Sequence, residues 1–102
     1  MLEIIEAAGL AVYGDAWRDA ICGGAGWSRR FLNRVMSGKN EPPAYFGETV
    51  ARVLEHAADL FGEFARDAPP DRAGQLLAMR HAAITGAYEI RRKGARESAI
   101  SV

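Results

Sequence analysis

The 102-residue chain contains one cysteine, Cys22. That excludes an intramolecular disulfide and any metal site built from cysteines. Histidine is nearly as scarce. His56 and His81 stand alone with no Cys/His cluster around them, so neither a metal nor a cofactor is expected. Long apolar runs are also missing: none approaches the roughly 20 residues that span a bilayer. The stretch Met1 to Glu6 holds two acids and no basic cluster, unlike a secretory signal. The expected location is cytoplasmic, with no membrane partner. Net charge is +0, from 13 basic and 13 acidic residues, so bulk charge gives no attraction to a polyanion. The sequence shows no nucleophile–base pair and no paired carboxylates placed for acid–base work. The run from Gly23 to Gly26 lacks the Lys-Ser/Thr that would make it a phosphate-binding loop. No enzymatic activity and no catalytic residue is expected.

What is present is a core and an uneven charge distribution. Hydrophobic residues make up 49% of the chain, enough to build one compact domain at this length. Residues 1–26 hold four acids against one arginine, and residues 41–71 seven acids against two. Residues 27–40 hold four basic residues and no acid, and residues 72–102 six basic residues against two acids. A neutral protein can still grip a polyanion when one positive block lies on one face.

Glycine and proline divide the chain at Gly9, Gly14, Gly23-Gly24, Gly26, Gly38, Pro42-Pro43, Pro69-Pro70 and Gly94. Between these breakers the apolar residues recur at helical spacing, and no stretch keeps strand alternation. The pattern predicts an all-α fold of five helices. The first covers about 2–12, with Leu2, Ile5, Ala8 and Val12 on one face. The second covers about 15–22, opened by Asp15 as N-cap, and the third about 28–37, opened by Ser28. The fourth covers about 44–67, with an apolar stripe from Phe46 through Val50, Val53, Leu54, Ala57, Leu60 and Phe61 to Phe64. The fifth covers about 71–93, where Leu76, Leu77, Ile84, Ala87, Tyr88 and Arg91 can share a face. Inside it, Gly74 and Gly86 each cost about 1 kcal/mol relative to alanine unless a neighbouring helix needs the space. The short Pro69-Pro70 connection makes the last two helices an antiparallel hairpin, and Ser98 to Val102 are expected to fray.

The stretch from Asp15 to Gly38 is the informative one. Two short helices cross steeply only where the crossing residue is small, as Cys22 is, and Gly26 can supply the positive φ of a tight turn. Ile21 and Ala25 face inward before the turn, and Leu32 and Val35 after it. The outward positions of the later helix are then Arg29, Arg30, Asn33, Arg34 and Ser37. Arginine can bind guanine O6 and N7 or a phosphate with two hydrogen bonds, and asparagine can bind adenine N6 and N7 in the same way. The Ser28 hydroxyl and the free N–H groups beside it can hold a phosphate, and Lys39 can reach the backbone.

These residues resemble the helix-turn-helix of bacterial and phage transcriptional regulators of the Cro/repressor-like type. Tyr13-Gly14 and Trp17 match the entry, and Gly26-Trp27-Ser28 the turn. Arg30, Leu32 and Arg34 match the recognition helix, and Ser37-Gly38 with Pro42 the exit. The likeness covers about residues 5–43. Trp27 stands where a smaller aliphatic residue is usual, and Gly23-Gly24 points to a longer or looser turn. The resemblance implies a sequence-specific regulator that binds double-stranded DNA through Ser28, Arg29, Arg30, Asn33, Arg34, Ser37 and Lys39. The alternative is a protein–protein interaction module of the same shape that does not bind DNA. On the DNA-binding reading, residues 1–43 form the DNA-binding region and residues 44–102 a helical hairpin within one compact domain. Such units usually bind in pairs, and the surplus apolar surface of helices 4 and 5 suits a homodimer. The basic cluster Arg91-Arg92-Lys93 with Arg96 fits either a second phosphate contact or favourable charge at a helix C-terminus.

Overall fold

The computed structural model describes residues 1–101, with side chains through Glu97, and it is all-helical. In chain order the helices are α1 (Leu2–Tyr13), α2 (Trp17–Ala25), α3 (Arg29–Met36), α4 (Phe46–Asp67) and α5 (Pro70–Ser101). One 3-10 turn, Gly14–Ala16, joins α1 to α2. Ser98 to Ser101, expected to fray, continue the backbone of α5, and Val102 lies outside the described residues. No helix among the described residues is long and apolar enough to cross a membrane.

Two helices differ from the expected spans. Gly14 ends α1 at φ 63°, and the 3-10 turn then takes up Asp15. Asp15 is therefore not the N-cap of α2, which starts at Trp17 without a side-chain cap. Far from loosening the turn, Gly23 and Gly24 are helical, and α2 continues to Ala25. A Cβ on Gly24 would lie 2.7 Å from Val53 Cγ1, so the bare backbone is what lets α2 rest on α4. Packing outweighs the helix propensity of glycine here. α2 then stops at Gly26, in the left-handed region at φ 73°. At the other end α5 begins with Pro70, whose missing N–H costs nothing in a first turn. Asp71 lies inside that turn, where a negative charge favours the helix dipole. Gly94 does not break α5.

All five helices feed one core. Ile5 of α1, Ile21 of α2, Leu32 and Val35 of α3, and Val50 and Leu54 of α4 have no exposed surface; Ile90 of α5 has almost none. α5 runs back along α4, with Gly62 beside Arg80, Leu54 beside Gly86 and Gly47 beside Ile90. It also covers α1, because Gly86 lets Ala8 approach so closely that a Cβ would be 2.7 Å from the Ala8 methyl.

The buried side of α5 is therefore Ala83, Gly86, Ala87 and Ile90. Leu77, Ile84 and Tyr88, which the helical spacing places on a face with Ala87, are exposed while Ala87 is buried. Close approach of two neighbouring helices selects small residues and turns the larger ones outward. At 1.5 Å per residue, the 32 residues of α5 span about 48 Å, which matches the 47 Å long dimension of the molecule.

Candidate functional site

The three residues Gly26 to Ser28 set the direction of α3. Gly26 turns the chain, and the Trp27 N–H donates to the Cys22 carbonyl at 3.0 Å. Ser28 is extended and caps the helix: its hydroxyl accepts from the Phe31 N–H at 3.0 Å. The Cys22 thiol donates to the Ser28 carbonyl at 3.6 Å, and burial pushes its pKa up. Cys22 is a small buried residue near the end of α2, and its burial disfavours the thiolate. Trp27 stacks parallel on Phe46, with ring centroids 4.8 Å apart, and meets Phe31 edge-on at 5.3 Å. The large residue at this turn therefore ties α3 to the start of α4.

With Leu32 and Val35 fully buried, the rest of α3 is held at a fixed angle to solvent. Arg29, Arg30, Asn33, Arg34 and Ser37 are all exposed, as are Ser28 and Lys39. They are not equivalent. Arg30, Asn33, Arg34, Ser37 and Lys39 line one shallow depression together with Arg18 of α2. Arg29 is not part of it; its guanidinium donates to Asp19 of α2. Residues 27–40 hold no acid, yet the fold brings one in from α2 and offsets one of the expected charges. The Ser28 hydroxyl accepts the cap bond with one lone pair and keeps its O–H donor.

The depression is ordered by hydrogen bonds that its lining residues make to one another, to Asn40 and to the backbone. Arg18 Nη1 donates to Asn33 Oδ1 at 2.5 Å, and its guanidinium lies 5.0 Å from the ring centre of the buried Trp17. Arg34 Nε donates to Asn40 Oδ1 at 3.3 Å. The Ser37 hydroxyl donates to the Arg34 carbonyl at 3.2 Å, and the backbone N–H of Lys39 donates to the same carbonyl at 2.9 Å. The chain thus folds back over the end of α3 and keeps Lys39 on the same side as Arg34. Arg18 was not among the residues expected here. It is the lone base of an acidic block, 15 positions from Asn33, and only the helix crossing joins them.

The second basic cluster has a different role. Arg91 donates to both Glu48 and Glu55, with contacts of 2.8 Å and 2.6 Å. The hydrogen-bonded guanidinium holds both carboxyls below their ordinary range. Arg91 is committed to joining α5 to α4 and is not free for phosphate. Because α5 runs on to Ser101, the cluster also lies inside the helix and not at its C-terminus. Arg92, Lys93 and Arg96 are exposed. The chain matches no protein-family model, no curated protein and no solved structure.

Proposed function

We propose that the protein is a sequence-specific DNA-binding transcriptional regulator that lays α3 in the major groove as the recognition helix of a helix-turn-helix. The observation that supports this most is the depression formed by Arg18, Arg30, Asn33, Arg34, Ser37 and Lys39, which no carboxylate lines among the described residues. Arginine, asparagine and serine are the side chains that hydrogen-bond to base edges and phosphates, and the buried side of α3 fixes their common direction. A mobility-shift titration with random 20-base-pair duplexes, at low and moderate salt, tests the reading. The Arg29/Arg30/Arg34 triple alanine variant should melt like the parent chain and lose binding and most of its salt dependence. Unchanged affinity in that variant would remove the proposal.

On this reading two copies bind a palindromic site, with recognition helices about 34 Å apart. Leu60, Phe64, Leu77, Ile84 and Tyr88 of α4 and α5 are large and exposed, as an apolar interface requires. Sedimentation equilibrium at micromolar concentration should give about twice the 11.1 kDa chain mass. Leu77→Glu combined with Ile84→Glu should return it to that of one chain and weaken binding to a two-half-site duplex. A parent chain that sediments as a monomer rules out the dimer. Exposed apolar side chains also favour the second reading, a protein-binding module without DNA affinity, for which no duplex would shift.

A further inference from the structure

The pairing of Arg18 with Asn33 bears on which base the depression would read, a question that rests on the DNA-binding reading above. Guanidinium has donors and no acceptor, so the Asn33 atom it meets at 2.5 Å must be the carbonyl oxygen, and the orientation of the amide follows from chemistry. Arg18 is restrained in turn by its place over the Trp17 ring, and Trp17 is buried. Recognition of adenine by asparagine needs both ends of the amide: the oxygen accepts from N6, and the nitrogen donates to N7. In this protein the oxygen already takes one hydrogen bond and sits beside a positive charge, which weakens it as a partner for a further donor. What remains outward is the Asn33 amide N–H pair beside the arginine N–H groups. A row of donors fits an edge with two acceptors, and guanine presents N7 and O6 in the major groove.

We propose that Arg18 is a specificity-determining residue: by occupying the Asn33 carbonyl it makes the Arg18–Asn33 pair read guanine in place of adenine. The test is selection of random 20-base-pair duplexes by the full chain, by Asn33→Ala and by Arg18→Met, with thermal melts to confirm folding. The base pair whose preference Asn33→Ala flattens is the one Asn33 reads. There the parent chain should favour guanine over adenine by about tenfold, the equivalent of one good two-bond contact. Arg18→Met frees the carbonyl and should turn that preference toward adenine. Arg18→Ala should do the same and serves as the second variant if the methionine chain does not fold. The proposal is overturned if the parent chain already prefers adenine there. It is also overturned if the folded Arg18 variants keep guanine, or if Asn33→Ala flattens no position. Failure of the underlying reading looks different: no duplex is enriched over the Arg29/Arg30/Arg34 triple variant, and both ideas fall together.

Discussion

α3 has eight residues, and its Leu32 and Val35 have no exposed surface. The far end of the α4–α5 hairpin is built from much longer helices, yet Phe64 is 58% exposed and Leu77 50% exposed. The difference lies in how many neighbours reach each element. α3 is enclosed by α2, by the Trp27–Phe46 stack and by the start of α4. Toward the Pro69-Pro70 turn α4 and α5 have only each other among the described residues, because α2 meets α4 at Val53 and α1 meets α5 around Ala82 and Gly86. Amphipathic spacing assigns a residue to a face. Whether another helix arrives to cover that face is a property of the whole chain.

The largest expected effect tests that contrast with one chemistry at two places. Leu32→Asp puts a carboxylate where no water reaches, which costs several kcal/mol. That is a large part of a small domain's stability of about 5–15 kcal/mol. Phe64→Asp changes a residue already half in solvent and should shift the stability of the single chain by about 0.5 kcal/mol or less. Urea denaturation of both substitutions in the Leu77→Glu/Ile84→Glu background, where the chain should sediment singly, separates the two. Equal losses there would mean that Phe64 is packed within the single chain.

Much of this arrangement is readable in the residue pattern. Five helical segments follow from the breakers, and the two faces of α3 from the spacing of Leu32 and Val35. Gly26 is legible because a tight turn needs a residue that tolerates positive φ. What is not legible depends on contacts distant in sequence. Gly23-Gly24 look like breakers until Val53 is seen to rest on Gly24. Which apolar residues of α5 are covered is not legible from hydrophobicity, because close approach to α1 and α4 selects Ala83, Gly86 and Ala87 and leaves Leu77 and Ile84 exposed. Within the candidate site, the outward residues of α3 can be listed from its period alone. The partners Arg18 and Asp19 cannot, since a side-chain pair across two helices depends on their crossing geometry.

A smaller effect sharpens the same comparison at two glycines of α5. A Cβ at position 86 would sit 2.7 Å from the Ala8 Cβ, while at position 74 it would meet nothing within 4 Å. Gly86→Ala forces α1 away from α5 and should cost about 1–3 kcal/mol of overpacking. The gain in helix propensity, about 1 kcal/mol, does not offset that. Gly74→Ala carries the gain alone and should stabilise by up to about 1 kcal/mol. Denaturation midpoints should therefore move in opposite directions. A shift of the same sign in both would mean that the α1–α5 contact is looser than the structure has it.

The smallest effect concerns the ion pairs that join the two long helices near their covered end. Arg91 is about one-third exposed and its two glutamates about half, with side-chain values of 36%, 45% and 49%. Solvent screens such contacts, so Arg91→Gln should cost about 1 kcal/mol or less at pH 7. The pH dependence identifies the cause. Glu48 and Glu55 are held below their ordinary value of 4.5 by the Arg91 hydrogen bonds. Groups with lowered folded-state values contribute fully above the ordinary range, and the contribution is lost as the pH falls through those values. The stability gap between parent and Arg91→Gln should accordingly be constant from pH 7 to about pH 5 and close as both carboxyls protonate at lower pH. It should also shrink in about 1 M salt, where the screening length is about 3 Å. A gap that persists unchanged once both carboxyls have protonated would show that the Arg91 side chain acts by packing its stem between α4 and α5, and that its charge contributes nothing.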